Sequence, residues 1–135
     1  MDKFIGKWKM IPRNAQSANP VSHKNNTCTI RRLRHDAFMI QSEWETQDHK
    51  NKFRGFTVYT DGVPREDIES NLKYVTKFKG GNVMTTSKME DGLVKSMQIR
   101  EVLDTGELKV TTIRVNPGGE QTKQVVYYQK VDSVS

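Results

Sequence analysis

The chain predicts an all-β fold, an up-and-down antiparallel barrel of about ten strands. Two observations carry this. Phe4-x-Gly6-x-Trp8-Lys9 near the start reads as a first strand with an aromatic, a glycine and a tryptophan, and Val125-Val126-Tyr127-Tyr128-Gln129-Lys130 near the end reads as a last strand able to return beside it. Between them runs a series of short alternating segments broken by tight turns. A sheet that pairs its first and last strands closes on itself and encloses a space.

Taken in order, the first strand spans 4–11, with Phe4, Trp8 and Met10 on one face and Lys7 and Lys9 on the other, and ends at Pro12. Residues 12–26 hold two prolines, several asparagines and serines and almost no apolar side chain, which predicts a loop without helical period. It is long for a compact domain, a sign of mobility or function. Thr27–Arg34 and Ala37–Thr46 form the next strands, turning at His35-Asp36. In the second of them Phe38, Ile40, Ser42 and Trp44 alternate with Met39, Gln41, Glu43 and Glu45, one buried face and one wet. A less distinct strand pair covers Lys52–Thr60, a turn falls at Asp61-Gly62-Val63-Pro64, and 65–70 reads as a polar connection. Strands resume over Leu72–Phe78 and Val83–Met89 about the Gly80-Gly81-Asn82 turn, where glycine supplies the positive φ a hairpin needs. Leu93–Leu103, Glu107–Val115 and Glu120–Val131 follow, separated by Asp91-Gly92, Asp104-Thr105-Gly106 and Asn116-Pro117-Gly118-Gly119. Residues 132–135 read as a frayed tail.

The 135 residues suit one domain, with 34% hydrophobic residues, so the core is thin or partly wet. No segment reaches the roughly 18 apolar residues of a membrane helix. The first residues lack the apolar run of a secretory signal, and Asp2 stands where N-myristoylation needs glycine. Cys28 is the only cysteine, so no internal disulfide forms. The expected location is therefore cytoplasmic, where the Asn25-Asn26-Thr27 sequon stays unmodified. The net charge of +6 supports solubility and a weak attraction to anionic surfaces.

Catalytic constellations are not legible. His23, His35 and His49 lie far apart without metal-ligand spacing, Cys28 lacks a histidine–acid partnership, and no nucleophile elbow occurs. The Gly80-Gly81 and Gly118-Gly119 pairs read as hairpin turns, with no helix following to cradle phosphate. The chain is expected to be no enzyme, with no cofactor and no metal.

In order and spacing, Phe4-Ile5-Gly6-Lys7-Trp8-Lys9, Lys79-Gly80-Gly81-Asn82, Ile99-Arg100-Glu101-Val102 with Thr105-Gly106-Glu107-Leu108, and Tyr128-Gln129-Lys130 resemble the intracellular lipid-binding proteins, the fatty-acid-binding and cellular retinoid-binding group. The likeness covers residues 4 to 131. It implies a calycin, lipocalin-like barrel around a water-filled cavity holding a fatty acid, retinoid or similar ligand. In many members the ligand carboxylate meets an arginine on the eighth strand and an Arg-x-Tyr pair on the tenth. By position these fall on Arg100, Tyr128 and, in place of the second arginine, Val126. The family's two lid helices fall on the polar 12–26 segment, so the lid is expected to be reduced or absent. The whole chain, 1–135, would then be one lipid-binding barrel domain.

Side-chain parity extends the site. With Tyr128 inward, Val126 and Gln124 follow. With Arg100 inward, so do Gln98 and Ser96. Leu108, Val110, Thr112 and Arg114 share a face, with Arg114 nearer the open end as a stand-in for the missing arginine. Phe38, Ile40, Ser42, Trp44 and Thr46 would line the opposite wall. The expected ligand-binding set is Arg100, Tyr128, Arg114, Gln98, Thr112, Phe38, Ile40 and Val126. Arginine offers a carboxylate two donors in a fixed plane, each charge-assisted bond contributing roughly 1.5–3 kcal/mol. An acyl chain adds about 0.8 kcal/mol per buried CH₂.

The leading reading is a non-enzymatic intracellular carrier of a small hydrophobic anion, monomeric, with transient contact to anionic membranes and no nucleic-acid partner. The alternative is a barrel-shaped interaction module that uses its open end or its basic surface, Arg31-Arg32-x-Arg34 above all, to bind protein or nucleic acid.

Overall fold

The structure is a computed structural model that describes residues 2–11, 24–46, 48–66 and 72–131. Ten antiparallel strands form one sheet: β1 (Gly6–Ile11), β2 (Lys24–Arg34), β3 (Ala37–Glu45), β4 (Asn51–Tyr59), β5 (Arg65–Glu66), β6 (Lys73–Lys79), β7 (Val83–Glu90), β8 (Leu93–Val102), β9 (Leu108–Val115) and β10 (Gln121–Val131). Their order is β4-β3-β2-β1-β10-β9-β8-β7-β6-β5. The head and tail strands lie side by side, with Lys7 opposite Val131 and Ile11 opposite Tyr127. The barrel is nearly closed, and its seam falls between β4 and β5, where β4 approaches β6 without a ladder. The two sheet edges thus survive at the seam rather than vanishing. One is kept to two residues and the other carries Lys52 and Arg54, both of which discourage strand addition.

Several sequence expectations need correction. Phe4 is not in the first strand: Asp2–Phe4 is a 3-10 turn, because the buried ring caps the barrel floor rather than alternating along β1. Residues 52–60 form most of one continuous strand, not a pair; every position from Asn51 to Tyr59 is matched on β3. The polar connection at 65–70 begins with a short strand pairing Arg65 with Tyr74. The loop expected through residue 26 ends sooner, since β2 starts at Lys24. Whether helices cover the mouth, and whether the tail frays, concern residues 12–23 and 132–135, outside the described residues. Among the described residues the 3-10 turn is the only helical element, and no helix is long and apolar enough to cross a membrane.

The turns follow their residues. Glu90 pairs with Leu93 across Asp91-Gly92, and both turn residues have positive φ, 51° and 78°. That is the two-residue geometry whose twist matches a hairpin.

The core lies at one end of the barrel. Phe4, Trp8, Ile30, Phe38, Met84 and Leu108 are almost wholly buried there. The Phe78 ring is tilted against Phe4 at 5.6 Å and meets Phe38 nearly edge-on at 5.8 Å, sealing a floor. Trp8 is satisfied inside it: its Nε1–H donates to the Phe4 carbonyl at 3.0 Å. The turn between β3 and β4 and the turns 91–92 and 116–120 lie at the other end, the mouth.

Candidate functional site

Register places one continuous face inside the barrel. Arg100 stands opposite Met84 on β7 and Val110 on β9, and Val110 stands opposite Val126 on β10. The position that carries the second arginine in the resembled family is therefore level with Arg100, two strands away, and is apolar. One step toward the mouth runs a polar belt, Thr76–Thr86–Gln98–Thr112–Gln124, across five adjacent strands. The Thr76 and Thr86 hydroxyls share a hydrogen bond at 2.9 Å, and Gln98 Nε2 approaches Thr112 Oγ1 at 3.4 Å. Thr86, Gln98, Thr112, Gln124 and Val126 are only half-buried although they face inward. Solvent therefore reaches the inner wall above the floor.

Arg100 is 4% exposed, and its Nη2 donates to Gln98 Oε1 at 2.6 Å. Its Nη1 is buried and has no acceptor among the described residues. The guanidinium also lies 5.7 Å from the Phe56 ring centre. Burial pulls its proton affinity below the ordinary arginine value, opposed by Cys28 and Tyr128. Those two neighbours are themselves pushed up. Burial raises the Tyr128 phenol to about 12, with Cys28 adding to the rise and Arg100 opposing it. Burial likewise raises the Cys28 thiol, against Arg100 and a hydrogen bond with Ser42. At neutral pH both are uncharged. Arginine does not give up its proton in proteins, so a buried cation sits here with, among the described residues, one neutral hydrogen bond and no counter-ion, an expensive arrangement that an anion would relieve.

The structure brings together Arg100, Gln98, Thr112, Val126 and, one row toward the floor, Tyr128, which faces Leu108 and Met10. It does not bring Arg114 to them. Arg114 is exposed and four residues beyond Val110 on β9, about 14 Å up the strand, too far to stand in for a second arginine at Arg100's level. Phe38 and Ile40 are fully buried members of the floor and lower wall. The sequence reading missed Cys28, Phe56, Thr76 and Thr86. Parity on β4 and β7 would have found Phe56 and Thr86, but reading 52–60 as two strands hid the first.

Other expected clusters resolve into local contacts. Arg31 donates to Gln41 at 2.9 Å, Arg34 pairs with Asp36 at 2.7 Å, and Arg32 stacks 5.2 Å from the Phe38 ring centre. His49 pairs with Glu45 at 2.9 Å. Among the described residues no group of histidine, cysteine and acidic side chains could hold a metal ion.

No family model matches the chain, and no curated protein matches its sequence. The fold has clear counterparts among solved structures. The fluorescent protein UnaG superposes with a TM-score of 0.66 at 18% identity, over 96% of this chain and 98% of that one. A mutant of UnaG gives 0.67 at 17% identity over 98% and 99%. As-p18, an extracellular fatty acid binding protein, gives 0.57 at 13% identity over 96% and 97%. The chain thus has the barrel fold of the fatty-acid-binding proteins, across nearly its whole length.

Proposed function

We propose that this protein is a non-enzymatic carrier that holds a small hydrophobic anion, a fatty acid or a retinoid-like acid, inside the barrel. The observation that carries the reading is Arg100, a buried guanidinium on the inward face whose Nη1 has no acceptor among the described residues. A ligand carboxylate supplies that acceptor, Tyr128 is a neutral hydroxyl donor close by, and Phe56, Val110 and Val126 offer apolar surface. Gln98 and Thr112 extend the polar side of the wall. The fold shared with As-p18, a fatty acid binding protein, agrees with this. The protein works as a single-domain monomer in the cytoplasm, and its basic surface makes transient contact with anionic membranes.

The test is a titration of fluorescent fatty acids and retinoids against wild type, Arg100→Ala and Tyr128→Phe. Binding by wild type that weakens at least about tenfold in Arg100→Ala supports the carrier. Equal affinity in all three removes the anchor. Native mass spectrometry of the purified protein separates the interaction-module reading, which is less favoured because Arg31 and Arg34 are already engaged within the chain. Co-purified lipid supports the carrier, whereas no lipid together with strongly salt-sensitive polyanion binding supports the module.

A further inference from the structure

We propose that the ligand is an elongated dianion, with one acidic group for Arg100 at depth and a second for Lys88 and Arg114 at the mouth. This rests on the carrier reading and narrows its ligand class. Lys88 and Arg114 both stand opposite Ser96, one on each side of β8. Each is four residues toward the mouth from the row of Arg100, on strands whose parity puts Met84, Thr86, Val110 and Thr112 inside. Adjacent strands are about 4.8 Å apart, so the two cations rise from backbones roughly 10 Å apart and converge on one stretch of inner wall. Arg54, on β4 across the seam, shares the inward face through Ser42 and Cys28.

These cations combine an inward position with the absence of an ion pair. Arg34, Lys50, Arg65 and Lys73 have carboxylate partners. Lys88, Arg114 and Arg54 form no ion pair among the described residues. Between the level of Arg100 and that of Lys88 and Arg114 the inward face carries no Asp or Glu among the described residues; Glu90, two residues beyond Lys88 on the same face of β7, stands at the rim. Below the rim the charged groups of the inward face are thus of one sign, from Arg100 up to Lys88 and Arg114, a field that focuses anions inward. A monoanion seated on Arg100 leaves the upper cations uncompensated. The two levels are about 14 Å apart along the strands, which a long chain with an acid at each end spans. A membrane surface is the weaker fit, because these residues belong to the inward rather than the outward face of their strands.

The test compares hexadecanedioic acid with hexadecanoic acid by calorimetric titration of the intact protein. Without the upper cations the second carboxylate is a handicap, since it replaces an apolar terminus. The expected result is dicarboxylate binding at least about tenfold tighter in wild type, a preference that shrinks as salt is raised. In the double variant Lys88→Gln/Arg114→Gln, checked for wild-type circular dichroism, the ratio should fall to one or reverse. Binding of the monocarboxylate with no dicarboxylate preference in wild type overturns this inference and leaves the carrier standing; that comparison needs no variant. A preference that survives in the double variant also overturns it. Failure of both acids to bind overturns the carrier reading and this inference with it. Loss of phosphatidylserine-vesicle binding in the double variant, with no dicarboxylate preference in wild type, would assign the cations to a membrane instead.

Discussion

Arg100 donates to Gln98 at 2.6 Å, two residues along the same strand, and that is the only hydrogen bond its side chain makes among the described residues. Both residues point into the barrel. The belt that includes Gln98 orients the guanidinium from one side and leaves Nη1 without an acceptor among the described residues. The unpaired guanidinium is therefore a cost to the folded state, one that an anion would relieve.

That cost can be measured. Arg100→Met keeps a long side chain at the position and removes the unpaired charge. Swaps of buried charges for apolar side chains are often stabilising, here by about 1–3 kcal/mol, and the same variant should lose at least about tenfold in affinity for a fatty acid. Denaturant melts and a ligand titration read the two effects. A variant that is both less stable and weaker in binding would show that Arg100 is structural.

Tyr128 should ionise late. Burial lifts its phenol to about 12 from the ordinary value of 10.0. In the unfolded chain the phenol loses its proton near 10, while in the barrel it keeps it. The unfolded state therefore binds fewer protons between these values, and stability falls as pH rises through that window. Below it, both states are protonated and Tyr128 contributes no pH dependence. The absorbance titration of wild type minus Tyr128→Phe should show one phenol with a midpoint near 12, and the variant's stability should fall less steeply above pH 10. A difference midpoint near 10 would mean the hydroxyl is solvated.

Much of the fold was legible in the sequence because its signals are local. Asp91-Gly92 and Gly80-Gly81 mark hairpins through the positive φ that glycine permits, and the alternation around Phe38, Ile40 and Trp44 marks a strand with one buried face. Pairing of the chain ends followed from their aromatic and glycine pattern, and the register bears it out. The seam was not legible. Asn51–Arg54 is polar at every position but Phe53, and Arg65–Glu66 is too short to carry a period, so neither announces itself as a sheet edge. Parity placed Arg100, Gln98 and Thr112 together, yet it could not bring Cys28 beside Arg100. Their electrostatic coupling crosses the barrel from β2 to β8 and depends on curvature, which no local pattern encodes.

Gly6 should be intolerant of any side chain for two separable reasons. Its φ is +143°, and a Cβ there would sit 2.6 Å from Lys130 Cε. Lys130 is flexible and can withdraw, giving up its place 5.7 Å from the centre of the Trp8 ring. The backbone strain has no such escape. Gly6→Ala should cost about 1–3 kcal/mol in denaturant unfolding, and adding Lys130→Ala should recover less than half. Full recovery in the double variant would assign the whole effect to the clash.

Cys28 gives a clean reading of the interior, being the only cysteine in the chain. It is 7% exposed, and burial holds its thiol above the usual cysteine range. The thiolate is the reactive species, so alkylation by iodoacetamide at pH 8 should run at least about tenfold slower than for a free thiol. Arg100 opposes the burial effect. Arg100→Met should therefore move the midpoint of the rate–pH curve further upward, while Gln98→Ala, which leaves the cation in place, should move it less. Because Arg100 acts on Cys28 from within the barrel, a saturating fatty acid that neutralises the guanidinium should shift the midpoint in the same upward direction. An unchanged midpoint in Arg100→Met would separate the two residues and dissolve the cluster on which the binding site is built.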